Sequence, residues 1–205
     1  MSRDATLSRG ASTRQTILRH AAGLASQLGL EGLSIGRLAE DLRLSKSGLF
    51  AHFQSKEALQ LQVLDFAAAR FVDTVVKPAL AAPRGEPRVR AAFERWLEWP
   101  RKSDLPGGCF FVAAAIELDD RPGPVRDKLV RLQRDWLDTL AGIVRTAIAE
   151  GDFREDVDPE QFAHELYGVM LVSHHAARLL RDPQAGARTR TAFDALLARA
   201  RQSPA

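Results

Sequence analysis

Apolar residues in this chain recur at the spacing of a helix and almost nowhere at the spacing of a strand. Ile17, Leu18, Ala21, Leu24, Ala25 and Leu28 fall at i, i+3, i+4, i+7 intervals, which places them on one stripe of a helix. No stretch sustains period-two alternation between turn signals, so no sheet is predicted. The residue supply agrees. Ala and Leu number 59 against 17 Val and Ile, and the first pair favours helix while the second favours strand. With 205 residues, 45% of them hydrophobic and 27% charged, the chain can bury a core unaided. Its one cysteine, Cys109, excludes an internal disulfide framework and a multi-cysteine zinc site. No apolar run approaches the roughly 20 residues of a membrane span. The opening residues carry Arg3, Asp4 and Arg9 without the apolar core of a signal peptide. The expectation is an all-α protein of the cytoplasm with no membrane segment.

The punctuation predicts about nine helices. The first runs over Thr13–Leu28, with Gly29 just past its end. Ser34 caps Ile35–Leu42, Ser45 caps Lys46–His52, and Ser55 caps Lys56–Lys77, stopped by Pro78. Pro87 opens a helix that ends near Trp99, before Pro100. Cys109–Leu118 reads as an apolar, buried helix, and Pro124 opens the longest amphipathic one, ended by Gly151. Asp158-Pro159-Glu160-Gln161 has the form of a capping box for a helix to about Leu180. The last helix is Arg188–Arg201.

Charge is segregated along this helical chain. The formal net charge is +3. Residues 1–60 hold eight Lys and Arg against five acids, an excess of three, so residues 61–205 are neutral. A basic amino-terminal end fits a module that meets a polyanion, and also fits a solvated face.

Within that end, Ser34 to Lys56 is the informative stretch. Ile35, Leu38, Ala39 and Leu42 give one short helix an apolar face, and Leu49 and Phe53 do the same for the next. Two helices joined across a tight Arg43–Leu44 turn make a helix-turn-helix, whose second helix enters the major groove of DNA. Its first turn carries Ser45, Lys46, Ser47 and Gly48, small or cationic residues suited to close approach and base-edge hydrogen bonds.

Residues 12–60 closely resemble the DNA-binding domain of the TetR (tetracycline-repressor) family. The likeness lies in Arg14-Gln-Thr-Ile-Leu-Arg-His-Ala-Ala-Gly-Leu-Ala-Ser-Gln-Leu-Gly29, in Leu33-Ser-Ile, and in Gly48-Leu-Phe-Ala-His-Phe-Gln-Ser-Lys-Glu57. The resemblance implies an all-helical homodimer. Residues 1–57, with a basic arm at 1–11, would bind a palindromic operator, and residues 58–205 would bind an effector and dimerise. It implies that Lys46 reaches a base edge or a phosphate, that Ser45, Ser47 and Gly48 read or frame the groove, and that His52 and Lys56 hold phosphates. Ser34 has a similar helix-start geometry, and Arg14 is placed to touch the backbone. Ser34 and Ser45 can equally be helix caps. The chain departs from most relatives at Phe50, where they carry Tyr, so a hydroxyl contact to phosphate is lost; Phe50 then presses on the DNA backbone or only packs. Arg3 and Arg9 could compensate from the arm.

Beyond residue 60 the sequence is less specific. Trp96, Trp99, Phe110, Phe111, Trp136, Tyr167 and His174 are candidates to line an effector pocket, with Phe162, His164 and His175 near them in type. The same aromatics would serve as plain core. Helices at about 158–180 and 188–201 are implied to form the dimer interface, their apolar faces being Phe162/Leu166/Val169/Met170 and Phe193/Leu196/Leu197; packing within one subunit explains these faces equally well. Cys109, between apolar neighbours, reads as an inert buried thiol and not as a redox sensor. The chain lacks paired Glu-x-x-His motifs, His-Glu-x-x-His, Gly-x-Ser-x-Gly and phosphate-binding glycine loops, so neither an enzyme nor a cofactor is expected. A metal sensor built on His174, His175 and Cys109, and a regulator without a small ligand, are the competing readings. The function expected is a ligand-responsive DNA-binding regulator, most simply a repressor released by its effector.

Overall fold

A computed structural model describes the backbone of residues 3–201 and the side chains of residues 13–201. The helices are α1 (Arg3–Leu28), α2 (Ile35–Leu42), α3 (Lys46–Phe53), α4 (Lys56–Phe71), α5 (Lys77–Leu80), α6 (Glu86–Lys102), α7 (Phe110–Leu118), α8 (Pro124–Ala149), α9 (Pro159–Arg178) and α10 (Ala185–Ala200). A π-helical turn, Val72–Val76, joins α4 to α5 without a break, which leaves nine separate helices among the described residues. The only strand-like pairing there is an isolated antiparallel bridge between Phe153 and Arg201. No described helix is long and apolar enough to cross a membrane.

Several boundaries differ from the sequence expectation. Helix α1 starts at Arg3, so residues 3–12 continue the helix where a free arm was expected. No proline interrupts them, and Gly10 alone costs a helix only about 1 kcal/mol. The backbone there is helical; Arg3 and Arg9 lie outside the described side chains. Pro78 and Pro100, expected to stop helices, lie inside them. Ahead of Pro78, Lys77 N–H donates five residues back to the Val72 carbonyl, and this wider turn absorbs the bond that Pro78 cannot make. Pro100 sits in the last turn of α6, which the buried rings of Trp96 and Trp99 anchor. At α9 the Asp158 carboxylate accepts from the amides of Glu160 (2.9 Å) and Gln161 (3.1 Å). The reciprocal half of the capping box is missing, because the Gln161 amide donates forward to Glu165 instead, at 3.0 Å.

The chain divides into two compact units. The first holds residues 1–70 and 104–129, the second 71–103 and 130–205. This differs from a boundary after residue 57. Leu59, Val63, Leu64 and Ala67 of α4 are buried, which extends the first unit to Arg70, and α7 packs on α1. In the first unit Ile17, Ala21, Ala25, Leu33, Leu38, Leu49 and Phe53 are also buried. Of the nominated apolar helix α7, Phe110, Val112, Ala114 and Leu118 are buried while Ile116 is exposed.

In the second unit α9 packs on α10, and α6 packs on both α5 and α9. Phe93 of α6 and Phe193 of α10 stack at 3.9 Å between ring centroids, tilted by 15°, and the Arg90 guanidinium lies 5.8 Å from the Phe193 centroid. Arg90 and Arg201 share the Glu86 carboxylate, Arg201 through 2.6 and 2.7 Å bonds. The Arg201 hydrogen bond is the main cause that holds the Glu86 carboxyl below its ordinary range. Phe162, Leu166 and Met170 of α9 and Phe193, Leu196 and Leu197 of α10 are all buried, and Val169 is half-buried. Packing within the subunit therefore accounts for these faces.

Removing the Phe193 ring opens a cavity against Phe93 and strips the platform under Arg90. Phe193→Ala is expected to cost about 3–5 kcal/mol. Urea unfolding checks it, as a lower midpoint at unchanged slope.

Candidate nucleic-acid interface

The site is built on two serine caps and one turn. The Ser34 hydroxyl accepts from the Arg37 amide at 3.1 Å and starts α2; the Ser45 hydroxyl accepts from the Gly48 amide at 3.1 Å and starts α3. Between the two, Arg43 adopts φ 54°, ψ 39°. Its N–H donates to the Glu40 carbonyl at 3.2 Å, and the Leu44 N–H donates to Ala39 at 2.9 Å. That pair of bonds is a Schellman ending. It turns the chain sharply enough for α2 and α3 to pack on each other, burying Leu38, Ala39, Leu49 and Phe53 between them and the rest of the unit.

Burying Leu49 and Phe53 turns the opposite face of α3 outward. Lys46, Ser47, Gly48, Phe50 and His52 are all exposed, as is Ser45 at its cap. Phe50 is 57% exposed, so it is not a core residue, and the alternative that it only packs is set aside. The Ser47 hydroxyl lies 3.4 Å from that of Ser45. A Cβ on Gly48 would come within 3.0 Å of the Ser45 hydroxyl oxygen, so glycine leaves room for the cap. Lys46 extends along α2, where a Cβ on Gly36 would lie 3.5 Å from its Cε. Arg37, Arg43 and Lys46 are exposed and make no ion pair among the described residues. Arg37 and Arg43 were not nominated from the sequence, because their direction depends on the turn.

Two nominated cations have partners inside the protein. Arg14 donates to the Gln62 side chain from Nε (3.2 Å) and Nη2 (2.6 Å), tying α1 to α4. Lys56 donates to the Glu31 carbonyl at 2.8 Å and to its carboxylate at 3.0 Å. His20 of α1 pairs with Asp41 of α2, a tie between residues 21 apart that no local pattern signals.

The turn linking α1 to α2 is held from three sides. Gln60 donates to the Leu30 carbonyl at 2.8 Å and to the Glu31 carboxylate at 3.1 Å. Arg121 lies 3.5 Å from the same carboxylate. From α7, the Glu117 carboxylate accepts the amides of Leu30 at 2.6 Å and Glu31 at 3.0 Å. Gly29, at φ +77°, makes room for it, since a Cβ there would sit 2.5 Å from Glu117 Oε1. Nearby, the Gly107 amide donates to the Ser26 hydroxyl at 2.9 Å, and any Cβ on Gly107 would collide with the Ser26 carbonyl.

The pocket candidates divide between the units. Trp96, Trp99, Trp136, Tyr167 and His174 belong to the second, Phe110 and Phe111 to the first. Phe71 meets Trp99 and Trp136 edge-on, with centroids at 5.3 and 5.0 Å, so these tryptophans form an aromatic cluster. The Tyr167 hydroxyl donates to Gln133 at 2.6 Å. Burial, followed by the charges of Arg178 and His175, pushes His174 below its ordinary range. Cys109 is buried at the start of α7. Among the described residues no three His, Cys, Asp or Glu side chains gather as a metal-ligand set. An open groove of about 490 Å³ between α1, α2 and the Asp104–Pro106 segment contains none of the pocket candidates.

Comparison with known families decides the chain's identity. Residues 17–63 match the model described as bacterial regulatory proteins, tetR family, and residues 85–193 match the tetracyclin repressor-like C-terminal domain. The chain belongs to the TetR family. It is a DNA-binding transcriptional regulator by that membership. A TetR transcriptional regulator from Chloroflexus aurantiacus shares 26% identity, covering 95% of this chain and 99% of its own, with a TM-score of 0.83. A TetR-family regulator from Streptomyces coelicolor has the same fold at 21% identity, covering 94% and 97%, with a TM-score of 0.78. AibR, solved with isovaleryl coenzyme A and operator DNA, has the fold at 22% identity, covering 89% and 95%, with a TM-score of 0.69. No curated protein matches the sequence.

The clasp on the turn has a pH signature in this regulator. Hydrogen bonds from Lys56 and then Gln60 hold the Glu31 carboxyl below its ordinary range. A carboxyl whose folded-state value is depressed adds stability above its unfolded value of about 4.3, and that stability fades as pH falls through this value towards the folded one. Lys56→Met is therefore expected to destabilise the protein at pH 7 more than at pH 3.5. Thermal melts of both proteins across that range measure it.

Proposed function

We propose that this regulator is a repressor that binds a palindromic operator as a homodimer, and that a small-molecule effector releases it. The carrying observation is the outward face of α3, on which a two-cap helix-turn-helix presents Lys46, Ser47, Gly48, Phe50 and His52 together. Lys46 takes a base edge, most simply guanine O6 and N7, or an adjacent phosphate. Ser45, Ser47 and Gly48 frame the groove. His52 holds a phosphate, and Phe50 lies against the sugar-phosphate backbone. Ser34, Arg14 and Lys56 support the module through the cap and the two internal pairings, while Arg37 and Arg43 add positive charge beside it. The protein acts by binding and not by catalysis, in the cytoplasm where the DNA lies.

Two recognition helices must sit about 34–36 Å apart to enter successive major grooves, which a two-fold dimer provides. Val172, Leu179 and Leu180 at the end of α9 are 66%, 71% and 62% exposed, an apolar group that a partner subunit would cover. Together with the remaining surface of α10 they are the proposed interface. The effector is assigned to the second unit, among the candidates Trp96, Trp99, Trp136, Tyr167 and His174. AibR, with both operator DNA and a coenzyme A thioester bound, supports a ligand-responsive reading of this fold. The effector loosens the complex only to the extent that it binds the DNA-free conformation better.

An operator selected from random duplex DNA with the full-length protein supplies the test. Lys46→Ala should weaken operator binding by about 1–3 kcal/mol for a base contact, or lower the salt slope by about one for a phosphate contact. Unchanged affinity and slope, by fluorescence anisotropy, would remove Lys46 from the interface. Leu179→Arg should convert the dimer to a monomer in light scattering while keeping its helical circular dichroism. A variant that remains dimeric would move the interface elsewhere.

A further inference from the structure

The amino-terminal module does not satisfy its own first turn. After α1 ends at Leu28, the amides of Leu30 and Glu31 point away from any partner in the turn and find one carboxylate, that of Glu117, 86 residues or more along the chain. Both oxygens are used, one for each amide, so the side chain grips the backbone at two points. Gly29 is the second, independent sign of the fit: its left-handed φ and missing Cβ leave the space that the carboxylate fills. A carboxylate placed beside Glu31 would ordinarily be repelled by it. Lys56, Gln60 and Arg121 hold the Glu31 charge and turn it into part of the clasp.

The turn has a direct consequence for α2 and α3. Leu33, fully buried, and the cap Ser34 follow it without a spacer, so its conformation sets where α2 starts. The Schellman turn then passes that placement on to α3. We propose that Glu117 is a positioning residue for DNA recognition: by clasping the Leu30 and Glu31 amides from α7, it fixes the pose of the recognition helix. This rests on the reading of α3 as the DNA-reading helix. Glu117 is on the far side of a long sequence gap and has no role in reading DNA itself.

Glu117→Gln is the sharpest test, because it keeps the shape but turns an N–H₂ group towards one of the two amides. Hydrogen exchange of the DNA-free protein is the first measurement. The amides of Leu30 and Glu31 should exchange faster, and those of α2 and α3 should follow. The second measurement is binding to the selected operator and to random duplex DNA. Operator affinity should fall about tenfold or more, the scale of a lost charge-assisted hydrogen bond. Binding to random DNA and its salt slope should stay unchanged, since Lys46 remains exposed, so the ratio of specific to non-specific binding drops. A merely structural role would lower the melting temperature and leave that ratio alone. Glu117→Asp, which keeps the charge but withdraws it by one methylene, is the second variant and should fall between the two. Unchanged exchange at Leu30 and Glu31, or an unchanged binding ratio despite faster exchange, overturns the proposal. If the wild-type protein selects no operator, the DNA-reading assignment fails, and the exchange measurement still decides whether Glu117 places α2 and α3.

Discussion

Two backbone amides, at Leu30 and Glu31, are the constraint on which the amino-terminal unit turns. A backbone N–H left without an acceptor away from water costs about as much as a lost hydrogen bond, a cost that falls on buried Leu30, while Glu31 beside it is exposed. The turn contains no side chain that caps both, so the acceptor comes from another helix, as the carboxylate of Glu117. That requirement brings α7 to the turn and requires glycine at position 29. It also makes Glu31 a problem, since two carboxylates are drawn together, and Lys56, Gln60 and Arg121 answer it.

The division of the chain follows from the same contacts. Residues 104–129 lie within the stretch that matches the C-terminal domain model, yet they belong to the compact unit that carries the helix-turn-helix. The close approach of Gly107 to Ser26 and the packing of α7 on α1 reinforce the Glu117 clasp. Function and compactness thus divide this chain at different places. The outward face proposed to read DNA lies mainly on α3, but the elements that hold that helix in place are drawn from both halves of the sequence.

The second unit is built on a different principle. Its ties are aromatic stacks and shared carboxylates between helices: Phe93 on Phe193, Phe71 against Trp99 and Trp136, and Glu86 between Arg90 and Arg201. Surface ion pairs of this kind contribute little singly. Glu86 differs from most of them because its side chain is only 15% exposed and takes two guanidinium groups at once. The inner faces of α9 and α10 are consumed by this packing, which leaves Val172, Leu179 and Leu180 exposed as the proposed docking face for a second subunit.

What was legible in the sequence is what operates within about one helical turn. Ser34, Ser45 and Asp158 cap the helices that they precede because their oxygens reach an amide two or three residues on. Leu49 and Phe53, four residues apart, share the buried face of α3 as their spacing predicts, whereas the outward direction of Phe50 was left open by the pattern. The family likeness was carried by the same local pattern. The prolines misled because a π turn and two buried tryptophans, both set by packing, let the helices run on. The partners of Lys56, Arg14 and Glu117 were invisible because each lies 25 to 87 residues away, and nothing in local propensity selects among many possible carboxylates or amides. The sequence by itself determined most of the helices, their serine and aspartate caps and the pairing of α2 with α3, since these depend on neighbours along the chain. Only the tertiary structure decided which cations remain exposed and which helix holds the turn, since these depend on neighbours in space.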